Sequence, residues 1–141
     1  MRTHETIELT IPSKLEELSR IEKLSSDMAK RLGLDSDQKN NLSIAITEAV
    51  GNAIVHGNKK DPKKSVDIRM EIYDDRLTIS VKDEGKGFKR DEVSDPLAPE
   101  NMLKESGRGI FILEQLMDEV HFGYDQGTTL TFTLRFHRAK D

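Results

Sequence analysis

Thr47-Glu48-Ala49-Val50-Gly51-Asn52-Ala53-Ile54-Val55-His56-Gly57-Asn58 is the stretch on which the fold turns. It closes a helix that opens at Asp35, where Gln38 three residues later completes the pattern of a capping box. Leu42, Ala45, Ile46, Ala49, Val50, Ala53 and Ile54 supply its apolar positions, and Gly57-Asn58 is a natural stop. Glu48, Asn52 and His56 follow one another at i, i+4 and i+8. At 3.6 residues per turn they share an arc roughly 80° wide beside the apolar stripe. A carboxylate there can take a proton from an attacking hydroxyl, and an amide oxygen one turn on can ligate a hard cation such as Mg²⁺. Taken alone, the three residues read more readily as a solvated helix edge, with His56 complementing the helix C-terminal dipole, since Glu and Asn are ordinary surface residues.

Working outward from this helix gives the remaining architecture. Ile7, Leu9 and Ile11 alternate with polar residues and predict a strand that Pro12 ends. Ser13-Lys14-Leu15-Glu16 has the form of a capping box, predicting a helix through Leu15, Leu18, Ile21, Leu24, Met28 and Leu32 that Gly33 terminates. Beyond the central stretch comes a basic loop with Lys59, Lys60, Pro62, Lys63 and Lys64. Val66, Ile68, Met70 and Ile72, then Leu77, Ile79 and Val81, alternate on either side of Asp74-Asp75 and predict a hairpin. A helix is expected from about Gly109 to Asp118. Val120, Phe122 and Tyr124, then Leu130, Phe132, Leu134 and Phe136, predict two further strands around a turn at Asp125-Gln126-Gly127. Five strands, three helices and only partial alternation imply an α+β two-layer sandwich. Its sheet is mixed but mostly antiparallel, with helices on one face, in a single domain spanning residues 1–141.

Composition excludes several functions. The 141 residues carry 22 Lys+Arg and 26 Asp+Glu, a net charge of −4 that gives no basic footprint for nucleic acid. With no cysteine there is no disulfide, thiolate nucleophile or zinc knuckle. The four histidines are scattered. No apolar run reaches the roughly 18 residues that a bilayer span needs, so the chain reads as a soluble, cytoplasmic protein without a membrane partner.

Three further constellations carry chemistry. Asp83-Glu84-Gly85-Lys86-Gly87-Phe88 ends the hairpin. Its aspartate can accept a hydrogen bond from adenine's exocyclic amine while the glycines leave room for a planar ring, although a tight turn explains the glycines as well. Ser106-Gly107-Arg108-Gly109 precedes a helix, where N–H groups and the dipole favour a phosphate, and Arg108 or Lys104 could add charge. A plain glycine-containing helix start is the alternative. Gly127-Thr128-Thr129 opens the last strand and reads as a base contact or as a simple β-turn. The long aperiodic segment Phe88–Ser106, between Gly87 and Gly107, then has the character of a lid over a triphosphate. There is neither a P-loop nor a dinucleotide-binding glycine pattern.

In this order, the Thr47–Asn58 stretch (an N box), Asp83–Phe88, Gly107-Arg108-Gly109-Ile110 and Gly127-Thr128-Thr129 resemble the Bergerat-fold ATPases: DNA gyrase, the MutL-type and heat-shock chaperone ATPases, and the histidine kinases. Nearly the whole chain is similar to the stand-alone bacterial anti-sigma-factor serine kinases, including the ending Leu116-Met117-Asp118-Glu119-Val120. The resemblance implies the histidine-kinase-like ATPase fold, with ATP and Mg²⁺ as cofactors. It implies that Glu48 is the general base and that Asn52 binds Mg²⁺. Asp83 would hold the adenine amine, Gly85 and Gly87 would shape the base pocket, Gly107, Arg108 and Gly109 would contact phosphates, and Thr129 would assist at the adenine. His56 belongs to the motif without an assigned role. The implied activity is phosphorylation of a serine on an anti-anti-sigma (STAS-type) protein, combined with sequestration of a sigma factor by a homodimer. A nucleotide-gated binding module with little phosphotransfer, and a stand-alone ATPase, are the alternatives.

Overall fold

The computed structural model describes residues 5–85, 109–124 and 127–136. The elements run β1 (Glu5–Pro12), a short 3-10 turn (Leu15–Glu17), α1 (Leu18–Leu32), α2 (Ser36–Asn52), a π turn (Ala53–Gly57), β2 (Ser65–Ile72), β3 (Arg76–Lys82), α3 (Gly109–Leu116), β4 (Glu119–Tyr124) and β5 (Thr128–Arg135). The sheet order is β1-β2-β3-β5-β4. All four neighbouring pairs of the described strands are antiparallel, in keeping with the mostly antiparallel sheet expected from sequence.

Strand alternation builds the two layers. Ile68 opposes Val81, which opposes Leu130, and Met70 opposes Ile79, which opposes Phe132; all six are buried on one face. The other face carries hydroxyls instead. Thr78 and Thr133 lie 3.1 Å apart, as do Ser80 and Thr131, and Thr10 donates to Asp67 at 2.8 Å. Residues 74 and 75 turn the hairpin, with the Tyr73 N–H bonded to the Arg76 carbonyl at 2.9 Å.

Helix α2 packs between α1 and α3, which explains its composition. Ala45, Ala49 and Ala53 recur at one-turn spacing and are all buried, letting neighbouring backbones come close. Its N-terminus is held by the expected box: the Gln38 N–H donates to Asp35 Oδ1 at 2.8 Å, and the Asp35 N–H donates to Gln38 Oε1 at 3.3 Å. Gly33 ends α1 in the left-handed conformation at φ +67, and the Leu34 N–H reaches back to Ala29 at 3.0 Å. No described helix is long and apolar enough to cross a membrane.

One cap expected from sequence is not formed. Ser13 makes no cap bond, and α1 begins only at Leu18 after the 3-10 turn. Ser13 is buried, and its hydroxyl donates to the Lys64 carbonyl at 2.8 Å, so tertiary demand overrides the local capping pattern. For the core, Ile46→Ala should cost about 2–5 kcal/mol in urea denaturation, because Ile46 is fully buried. Ile44→Ala, on the same helix but 44% exposed, should cost less than about 1 kcal/mol.

Candidate functional site

Glu48 and Asn52 lie one turn apart on α2, as their spacing requires. Helical winding then loosens. The Asn58 N–H reaches the Ala53 carbonyl five residues back at 2.8 Å, and the Lys60 N–H reaches Ile54 at 2.7 Å. This π turn contains His56 and ends at Gly57, where the chain meets the end of β3. Lys59 and Lys60 follow with φ of 54 and 59, two consecutive left-handed non-glycine residues.

Asp83, just beyond β3, is 5% exposed. Its Oδ1 accepts the N–H groups of Gly85 at 2.9 Å and Thr128 at 3.0 Å, and its own N–H donates to the Thr128 carbonyl at 3.0 Å. Three glycine backbones close around it. A Cβ on Gly57 would stand 2.0 Å from Asp83 Oδ2, and one on Gly85 would stand 2.5 Å from the Gly57 carbonyl oxygen. A Cβ on Gly127 would stand 2.2 Å from the Asp83 carbonyl oxygen, and Gly127 also has φ +132. Burial pushes the Asp83 carboxyl above the ordinary carboxylate range; the Thr128 and Gly85 N–H groups and the charge of Lys64 oppose that only in part.

Asn52 Nδ2 is buried with no hydrogen-bond partner among the described residues. Such a group costs about 1–3 kcal/mol unless something outside the chain satisfies it, so the amide is a candidate ligand contact. Among the described residues no three acidic or histidine side chains gather to hold a metal.

The structure therefore brings Asp83, Gly85 and the Gly127-Thr128 backbone together, with Glu48 and Asn52 on the helix that leads into the same corner. Gly109 begins α3. Gly87, Gly107, Arg108, Lys104 and the Phe88–Ser106 segment lie outside the described residues. Thr129 is placed differently from expectation. It opposes Lys82 in the ladder and lines, with Ser80, Lys82 and Asp67, a concavity of about 490 Å³ on the helix-free face. Period-2 alternation sends neighbouring residues to opposite faces, and it is the Thr128 backbone that touches Asp83. Gly57 and Thr128 are contacts that residue-by-residue reading did not assign, although both belong to motifs it singled out.

The family signature of the histidine kinase-like ATPase domain matches residues 11–134, and the chain belongs to that family. Serine-protein kinase RsbW of Bacillus subtilis (strain 168) is 35% identical over 133 residues, 90% of this chain and 83% of that protein. RsbW of Staphylococcus epidermidis is 34% identical over 136 residues, 92% and 86% of the two chains. Among solved structures, the RsbU and RsbW domains of Rv1364c from Mycobacterium tuberculosis superpose with a TM-score of 0.65 at 20% identity, over 97% of this chain and 34% of that one. The mycobacterial sensor histidine kinase MprB gives 0.54 at 15% identity, over 96% and 99%. These two structures speak for the fold.

The raised Asp83 carboxyl has a measurable consequence. The folded chain holds this proton more tightly than the unfolded chain does, so the contribution to stability is full below about pH 4, the ordinary carboxylate value. It is lost as pH rises through the raised folded value. Urea denaturation from pH 3.5 to 7, without nucleotide, should show the stability of wild type relative to Asp83→Asn falling as pH rises. A difference that is flat or grows with pH would contradict this.

Proposed function

We propose that this chain carries out its protein serine kinase reaction with Asp83 reading the adenine base, Asn52 holding Mg²⁺ and Glu48 acting as general base. The observation that carries this reading is Asp83. It is a buried carboxylate whose bonds among the described residues come from backbone N–H groups, at a point where side chains are excluded by glycine. Buried charges are ordinarily paired with a cation, and one held this way is kept ready for a donor from outside. An exocyclic amine is such a donor, and a flat ring tolerates close backbone.

Bound Mg²⁺ would neutralise phosphate charge and orient the triphosphate. The amide oxygen of Asn52 is a hard ligand suited to it, and the orphaned amide nitrogen beside that oxygen suits a phosphate oxygen. Glu48 accepts the proton of the substrate serine hydroxyl as its oxygen bonds to the γ-phosphorus and ADP departs. The serine lies on an anti-anti-sigma protein, and the chain also binds a sigma factor, acts as a cytoplasmic homodimer and makes no direct contact with nucleic acid. That partner set is carried over from the resemblance to anti-sigma-factor kinases and is supported by the RsbW relatives.

Label transfer from γ-labelled ATP to such a partner should fall about 10²–10⁴-fold in Glu48→Gln, with ATP affinity within about threefold of wild type. Equal transfer by the two proteins would remove Glu48 from the chemistry. Calorimetric titration of Asn52→Ala should show ATP affinity that no longer responds to magnesium. A retained magnesium response would place the metal elsewhere.

A further inference from the structure

Asn58 closes the Thr47–Asn58 stretch and takes no part in the reaction just described, yet it is completely buried. Its Nδ2 donates to Ser13 Oγ at 2.7 Å and to the Ser65 carbonyl at 2.9 Å, and its Oδ1 accepts the Glu84 N–H at 2.7 Å. Both amide hydrogens and one oxygen lone pair are thus used on three different segments: the end of β1, the start of β2 and the loop after β3. Ser13 passes the chain of bonds on to the Lys64 carbonyl, and the Ser65 N–H donates to Glu84 Oε2. Glu84 is therefore held at its backbone by Asn58 and at its carboxylate by Ser65.

Adjacency turns this into control over Asp83. Gly57, the neighbour of Asn58, packs against Asp83 Oδ2, and Glu84, the neighbour of Asp83, bonds to Asn58. Gly57, the last residue of the π turn, and Asn58 just after it thereby clamp two consecutive residues of the loop. Among the described residues Asp83 itself has backbone bonds to Gly85 and Thr128, which fix Oδ1 but not the depth of the loop against α2. An apolar side chain of similar size at position 58 would strand the Glu84 N–H and the Ser65 carbonyl. Solvation alone does not explain an amide here, because the side chain meets no water.

We propose that Asn58 is a positioning residue for purine recognition: its amide sets where the Asp83 carboxylate stands, and so sets discrimination for a 6-amino purine. The proposal rests on the reading of Asp83 as the base-reading group, and the test separates the two. Affinity is measured by calorimetry for Mg·ATP and for magnesium purine riboside triphosphate, which lacks the 6-amino group. The proteins are wild type, Asp83→Asn, Asn58→Ala and Ser13→Ala, each also assayed for kcat and KM in phosphotransfer. In Asn58→Ala, ATP binding should weaken about 10–100-fold, the range for losing a hydrogen bond to a charged group. Binding of the 6-unsubstituted nucleotide should change less than about threefold, and kcat at saturating ATP should stay within about threefold.

A folded Asn58→Ala that keeps wild-type discrimination, or that loses both nucleotides equally, overturns the proposal, the second outcome marking a merely structural role. Should Asn58→Ala fail to fold, Ser13→Ala decides, since it removes only the hydroxyl beneath the amide. A two- to fivefold loss of discrimination is expected there, and none overturns the proposal. If wild type does not distinguish the two nucleotides, or Asp83→Asn distinguishes them as well as wild type does, the reading of Asp83 fails and takes this one with it. If Asp83→Asn loses discrimination while Asn58→Ala retains it, only the role of Asn58 falls.

Discussion

A carboxylate is kept out of water at a corner where three backbone segments touch, and most of the surrounding geometry follows from accommodating it. Desolvating Asp83 disfavours its charge, and the chain offsets this with two N–H groups and a nearby lysine rather than with a full salt bridge. Those N–H groups can reach it only because Gly57, Gly85 and Gly127 let main chain approach at distances no Cβ would permit. Gly57 in turn reaches the corner because α2 ends in a π turn.

That corner also concentrates features that oppose folding. Asn52 carries an unsatisfied amide nitrogen, Asp83 a carboxyl shifted upward, and Lys59-Lys60 two left-handed conformations in succession. The orphaned amide and the left-handed residues each disfavour the fold by roughly 1–3 kcal/mol, and burial disfavours the charged form of Asp83. Elsewhere the molecule obeys ordinary rules, with a continuous apolar face on the sheet and capped or glycine-terminated helices. Irregularity confined to one place is what a ligand site requires, since donors and acceptors already satisfied within the chain are unavailable to a nucleotide.

The layers and most element boundaries were legible in the sequence because strand and helix periodicities are local. Ile7-Leu9-Ile11, the Asp35–Gln38 box and the Asp74-Asp75 hairpin each specify their structure within a few residues. Glu48 and Asn52 were legible for the same reason, as helical spacing fixes their relation. What was not legible depends on partners far along the chain. Ser13 has the local pattern of a cap, but is taken by Lys64 and Asn58, some fifty residues away. Asn58 after glycine reads as a helix terminator, and nothing nearby reveals Ser65 and Glu84 as its partners. Thr129 and Thr128 could not be told apart without knowing which face of β5 meets the helices.

The position of β5 bears on how the molecule comes into being. It is the last of the described strands in chain order, yet it lies between β3 and β4 in the interior of the sheet. Its first residue, Thr128, supplies both the donor and the acceptor that seat Asp83. Until residues 128–135 are in place, β3 has an unpaired edge and the loop bearing Asp83 lacks its clasp. Such long-range pairing forms slowly and leaves apolar strand faces open meanwhile. The corner around Asp83 is therefore complete only once β5 has paired with β3 across some fifty residues of intervening chain.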